Sequence, residues 1–360
     1  MGVPPNRFRK KKRVTITDVA LEAKVSIAAV SRILNNNYEG FSAREETKAR
    51  VLEAARRLGY RPSRAAISLA TGRHDAIALC LPASQFGSGP VNVSSMDQVF
   101  QQFEMMLVIS GLRRGLIDHH QDLILVDAAK ERRPDEFVLQ LQDKVDGVIW
   151  VNPDDEADTL NEILNAGLPL AVVGSSPVTG NFVNVRADEH TAGRMGMGHV
   201  LIRGAKTVLV AVPKERANQV GIKERIEGAK KAANDFTKSK VAAQTLLVPR
   251  DTAKGRVVFA EYLDKKGIPD AILTLDGHLP FAILSELYER DFDVPNDLLL
   301  VGFEENPLYS VNAPSLTGLR YPMEQLCYEA AAALMQLIAT GEVPEPVLRV
   351  PQLIARASAP

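Results

Sequence analysis

The chain has 360 residues, 46% of them hydrophobic and 24% charged, and is long enough for more than one packed domain. Two widely separated cysteines, Cys80 and Cys327, exclude a disulfide framework and read as reduced thiols; no apolar run is long enough for a bilayer, and the basic N-terminus lacks the apolar core of a secretory signal, so a cytoplasmic protein is expected. The formal charge of −1 conceals an asymmetry: residues 1–72 hold 15 lysines and arginines against 6 acids, a net +9, and the remainder carries −10, the footprint of a polyanion-binding head on an acidic body.

Residues 1–13, with "RFRKKKR", read as a basic arm. Thr15 and Asp18 then stand at capping-box spacing, and Ile16, Val19, Ala20 and Ala23 repeat at i, i+3, i+4, i+7, so a short helix ends near Ala23. After a tight turn at Lys24 and Val25, Ser26 is a natural N-cap for "IAAVSRIL". At about 100° per residue, Ala29, Val30, Ile33 and Leu34 share one side, and Ile27, Ala28, Ser31 and Arg32 share the other. One half wants a core and the other is shown to something outside. A third helix opens at Ser42 to Glu45, turns Val51, Leu52, Ala55 and Leu58 inward, and stops at Gly59. Residues 14–60 therefore form an all-α helix-turn-helix head. Residues 61–75 follow as a hinge, a short helix around Ala65, Ala66, Ile67 and Leu69 that is too small to be stable alone.

In the body, residues 76–360, eight apolar runs alternate with helical stretches: "AIALCLP", "DLILVDA", "DGVIWVNP", "PLAVVGS", "TVLVAV", "QTLLVP", "DAILTLD" and "DLLLVGFEE". That alternation predicts parallel α/β sheets with helices on both faces and a ligand beyond the strands' carboxyl ends. Residues 84–100, rich in Ser, Gly and Val, read as a surface loop: a lid, a dimer contact or decoration. Competing chemistry is weak. The glycines 193, 196 and 198 lie in a helix and read as packing, and His119 and His120 lack metal-ligand spacing, so no metal or cofactor is expected. No nucleophile elbow or Walker loop is present, so no catalytic residue is expected.

The sequences "TITDVALEAKVSIAAVSRILN" and "FSAREETKARVLEAARRLGYRPSRAAISLATGR" resemble the DNA-binding head and hinge of the lactose-repressor (LacI/GalR) family over residues 14–73. The body resembles that family's two-lobe periplasmic-binding-protein-like (type I) core in "VDGVIWVNP", "ADEHTAGRMG", "KERIEGAKKA", "PDAILTLDG" and "DLLLVGFEENPL". One departure is Lys24, which stands where the family usually has glycine. The resemblance implies a regulator that binds double-stranded operator DNA as a homodimer and answers to a small effector. It puts Ile27, Ala28 and Arg32 at base-reading positions, and Thr15, Ser26, Ser31, Asn35 and Tyr60 on the DNA backbone. It also puts Ala66 and Leu69 in the minor groove, with Leu69 as the wedge. Arg225 matches the effector-binding arginine, while Asp188 is better explained as structural. Gly174 and Gly277 replace sugar-binding acids of many relatives, with Asp276 a possible substitute, and Arg250 falls near a position where relatives often place an aromatic ring. Those departures favour an anionic effector, a sugar acid or sugar phosphate, and a neutral sugar is the alternative. A regulator with a degenerate, unresponsive core and a sugar-handling enzyme with an acquired head remain as rival classes.

Overall fold

The computed structural model describes residues 14–34, 41–61, 68, 71–82, 96–128, 133–153, 156–237 and 240–360. Contacts divide the chain into two units, residues 1–74 and 75–360.

The first unit holds α1 (Ile16–Ala23), α2 (Ile27–Leu34) and α3 (Glu45–Leu58). Thr15 caps α1 reciprocally: its hydroxyl accepts from the Asp18 N–H at 3.3 Å, and Asp18 accepts from the Thr15 N–H at 2.8 Å. Lys24 ends α1 in the left-handed region at φ 52°, its N–H reaching the carbonyls of Ala20 and Leu21. Ser26 caps α2 by accepting from the Ala29 N–H at 3.1 Å. Val30 and Ile33 pack against Val19, Ala20 and Ala23 of α1 and Val51, Ala54 and Ala55 of α3. The sequence placed Leu52 in this core, but it is 53% exposed. Ala54, Ala55 and Leu58 follow Val51 at i+3, i+4 and i+7, and Leu52 sits about 100° off that stripe.

The second unit has two lobes, each a six-stranded sheet between helices. The first sheet runs β11-β5-β4-β3-β1-β2, all parallel, from β1 (Ala76–Pro82), β2 (Asp122–Ala128), β3 (Gly147–Val151), β4 (Leu170–Val173), β5 (Val183–Ala187) and β11 (Val347–Arg349). The second runs β12-β10-β9-β8-β6-β7, from β6 (Thr207–Pro213), β7 (Ala242–Val248), β8 (Ala271–Thr274), β9 (Leu299–Gly302), β10 (Thr317–Arg320) and β12 (Gln352–Ile354), parallel except for β12.

Buried strands present alternate residues to the two faces. On β1, Ile77, Leu79 and Leu81 meet α4 (Met96–Leu116) and α12 (Met323–Thr340), while Ala76, Ala78 and Cys80 meet α5 (Pro134–Gln142) and α6 (Ala157–Asn165). On β6, Val208, Val210 and Val212 pack on α7 (Glu189–Ile202) and α8 (Val220–Asp235), and Leu209 and Ala211 on α9 (Thr252–Lys266) and α10 (Leu279–Glu289). A four-residue helix, α11 (Leu308–Val311), precedes β10. The chain passes between lobes after β5, after β10 and between β11 and β12.

One sequence expectation is corrected here. Residues 84–100 were read as loop, but Met96 to Phe100 already belong to α4, and residues 83–95 lie outside the described set. Cys80 and Cys327 are buried free thiols, with burial pushing Cys327 up to about 12 and Cys80 higher still.

Candidate functional site

In the head, α2 has two unlike sides. Val30 and Ile33 are buried, whereas Ala28 and Arg32 are exposed and Ile27 is 48% exposed. An isoleucine left in water beside an arginine is costly for stability and suited to contact. The Arg32 guanidinium lies 5.3 Å from the centre of the Phe41 ring, a cation–π distance. Thr15 and Ser26 are exposed but engaged as caps, Ser31 is half-buried, and Tyr60 packs partly into the head core. Asn35, Ala66 and Leu69 lie outside the described residues, as does most of the hinge.

In the body, a cavity opens between the carboxyl ends of both sheets. Its wall follows the connections: Asn152 after β3, Gly174 and Ser175 after β4, Glu189 after β5, Arg216 after β6, Gly277 and His278 after β8, Glu304 after β9 and Tyr321 after β10. In each sheet the strand order reverses direction at β1 or β6, the strand next to the edge, which opens a crevice at this end. Phe103, Glu104 and Leu107 of α4 add a largely apolar side.

Arg225 reaches this wall from α8. Two glycines permit the close crossing that aims it: a Cβ on Gly193 would lie 2.0 Å from the Arg225 carbonyl oxygen, and one on Gly228 would lie 1.9 Å from that of His190. Of the glycines after Asp188, Gly193 serves this crossing, Gly196 lets α7 approach Leu273 and Phe303, and a Cβ on Gly198 would meet nothing within 4 Å; Asp188 itself caps α7 by accepting from the Thr191 N–H at 2.8 Å. The guanidinium of Arg225 makes four hydrogen bonds. It forks onto Glu189 at 2.6 and 3.0 Å, donates to the Leu275 carbonyl and Glu304 at 2.8 Å each, and lies 4.8 Å from the Tyr321 ring centre. Burial disfavours its charge, yet Glu189, Tyr321 and Glu304 hold it protonated.

Arg216, which the sequence reading missed, donates to Asp276 at 3.1 Å and to both oxygens of Glu304 at 3.1 and 3.2 Å. Arg250 and Asp276 do not line the cavity. Asp276 is fully buried behind it, accepts from the His278 N–H at 2.8 Å, and pairs with Arg250 at 3.3 Å. Burial alone would raise its pKa, but Arg250, His278 and Arg216 hold it well below the carboxylate range. Glu304 is lowered likewise by Arg216 and Arg225 against burial. The anionic-effector expectation rests on glycines at 174 and 277 in place of acids and on Arg250 in the cleft; the Arg250 part of that support fails, because this arginine lies behind the wall and pairs with Asp276. At Gly174, where an acid was expected in relatives, φ is +101° and a Cβ would come 2.4 Å from the Asn152 side-chain oxygen, so no side chain fits this backbone.

The missed residues share one signal. Arg216, Glu189 and Glu304 each stand two or three positions past a strand's carboxyl end. Among the described residues there is no cluster of metal-ligating side chains, and no helix is long and apolar enough to cross a membrane.

Comparison with known proteins assigns both units. Residues 15–63 match the family of bacterial regulatory proteins of the lacI type, and residues 197–359 match a periplasmic binding protein-like domain. The chain is 26% identical over 334 residues to catabolite control protein A of Staphylococcus epidermidis, covering 90% of this chain and 91% of that one. It is also 26% identical over 332 residues to the HTH-type transcriptional regulator pepR1 of Lactobacillus delbrueckii subsp. lactis, covering 91% of each. In fold, it is similar to the lac repressor dimer bound to operator and the anti-inducer ONPF (TM-score 0.76, 20% identity, 97% of this chain and 99% of that one). A second match is the transcriptional regulator CelR in complex with cellobiose (TM-score 0.64, 23% identity, 96% of this chain and 100% of that one).

Proposed function

The chain belongs to the LacI family of bacterial regulatory proteins, and from that premise we propose that it binds a near-palindromic operator as a homodimer, under the control of a small carbohydrate-type effector. The observation that carries this reading is the pairing, in one chain, of an outward face of Ile27, Ala28 and Arg32 with a cavity walled by both lobes. Arg32 offers a planar fork to guanine O6 and N7, and Ile27 and Ala28 offer apolar surface to a thymine methyl. Thr15, Ser26, Ser31, Asn35 and Tyr60 set register on phosphates, and Ala66 and Leu69 of paired hinges enter the minor groove. Such a regulator works on the nucleoid in the cytoplasm, most simply as a repressor.

Control follows from linkage. An effector shifts operator affinity only if it binds one arrangement of the lobes better than another. The cavity's amides (Asn152, Gln219, Asn306) and aromatic rings (Phe103, Tyr321) suit a hydroxylated ring, and relatives of this fold are held in complexes with cellobiose and ribose. A second reading, a regulator whose core answers to nothing, is favoured by Arg225, which already donates to Glu189, Glu304 and Leu275. The test is to select an operator from randomised duplexes, then follow its affinity by anisotropy while adding the small-molecule fraction of a cytosolic extract and individual sugars. Sequence-selective binding by a dimer that shifts with a small molecule is expected. Selective binding that no small molecule moves supports the second reading, and absence of selectivity overturns both.

A further inference from the structure

The charged side chains lining the cavity are almost all spoken for. Glu189 is paired with Arg225, Glu304 with both Arg216 and Arg225, and Glu305 with Arg320 and Arg356. Arg250 and Asp276 close the set from behind the wall. Three arginines, Arg216, Arg225 and Arg250, thus stand against three carboxylates, Glu189, Asp276 and Glu304, and that cluster is neutral; the Glu305 group beside it has one arginine in excess, but neither Arg320 nor Arg356 lines the cavity. Glu104 is additional. It projects from α4 into the same cavity, half-buried, and among the described residues it has no hydrogen bond and no ion pair.

An anionic ligand therefore meets no free cation: it would have to break a pair inside the wall and then face Glu104. A neutral ligand leaves Glu104 as it is. Resting on the reading of this cavity as the effector site, we propose that it takes a ligand bearing a protonated amine on a hydroxylated ring, with Glu104 as the counter-charge. Burial and the nearby Glu304 push the Glu104 carboxyl up even though Arg216, Arg250 and His278 oppose them, so a cation at Glu104 relieves a cost that no side chain there removes. The ammonium supplies the missing charge between Glu104 on the first lobe and Glu304 on the second, and so bridges the two lobes. The apolar side formed by Phe103 and Leu107 packs on the ring.

The test uses the full chain and matched probes: glucosamine, glucose and glucose 6-phosphate, then the galactose-based amine and neutral pair, each titrated by calorimetry. The amino sugar should bind roughly ten- to a hundredfold tighter than its neutral twin, the range expected of a charge-assisted bond. Glu104→Gln should erase that advantage, and Glu104→Asp should retain part of it. Neutral or phosphorylated members binding as tightly as the amine, an advantage surviving in Glu104→Gln, or no binding by any member overturns the inference. Operator anisotropy keeps the two levels apart. If an extract shifts operator affinity while the amine has no advantage, only the ligand charge is wrong; if nothing shifts it, the effector reading itself fails.

Discussion

Arg32 rests on Phe41, and that contact makes the face proposed to read bases a two-residue device. A guanidinium stacked on a ring has less rotamer freedom to lose when it meets a base edge. Arg32→Ala is expected to cost about 1–3 kcal/mol of operator affinity and to relax preference at one base pair per half-site, read by binding to a set of single-substituted operators. Phe41→Leu keeps an apolar contact with the head core and removes the ring. It should weaken the cognate site by about 0.5–1 kcal/mol while leaving nonspecific binding unchanged, a difference that a salt titration on both duplexes resolves. Lys24 offers the opposite kind of test. Its φ of 52° is the glycine region, so Lys24→Gly should stabilise the head by about 0.5–1 kcal/mol in denaturant melts.

At the level of elements, the crossing of α7 and α8 decides where Arg225 points. Gly193→Ala would drive a methyl into the Arg225 backbone, so the helices must separate. Loss of several kcal/mol in thermal melts is expected, together with loss of effector binding, whereas Gly198→Ala, where a Cβ meets nothing within 4 Å, should be tolerated. Six of the eight apolar runs became inner strands, where burial on both faces leaves a plain hydrophobic signature, and the other two became the edge strands β2 and β7, which keep apolar residues such as Leu125 and Leu247 exposed. The strands that escaped notice are of another kind. In β5, Asn184 and Arg186 alternate with buried Val183, Val185 and Ala187, β10 is the four-residue segment Thr317 to Arg320 with a single large apolar side chain, and β11 and β12 have three residues each. The site was legible to a similar degree. Arg225 was visible through its resemblance to a family position, and the general location beyond strand ends followed from parallel topology. Arg216, Glu189 and Glu304 needed the strand ends to be located first. Glu104 was hidden because it lies within an apolar helical run that adjoins residues read as loop, and nothing in one dimension says which way a lone acid faces.

On the scale of the whole molecule, the chain behaves as two units of unequal core. Among the described residues the head buries eight apolar side chains, Val19 to Ala55, and the body has four larger clusters. Calorimetry should resolve separate transitions, and a bound effector should raise only that of the body. The ion-pair wall sets the acid limit of the body. Asp276 and Glu304 have folded pKa values below their unfolded ones, so their stabilisation is complete above about pH 5 and is lost as pH falls through the folded values. The body's melting temperature should therefore fall steadily from about pH 4 downwards, and less steeply in Glu304→Gln, whose starting stability is already lower.

The first lobe's sheet ends with β11, and one face of its core is closed by Leu326, Cys327, Ala330, Ala331 and Leu334 of α12. Those residues are translated after the entire second-lobe sheet except β12. On a ribosome moving at roughly 5–20 residues per second, β1 to β5 wait on the order of 10 s with that face covered by α4 alone, long after the small head has had time to fold. The head is thus finished first and the first lobe last. A nascent chain stalled near residue 320 should be protected from protease in the head and cleaved throughout the first lobe, and one extended past residue 350 should be protected in both.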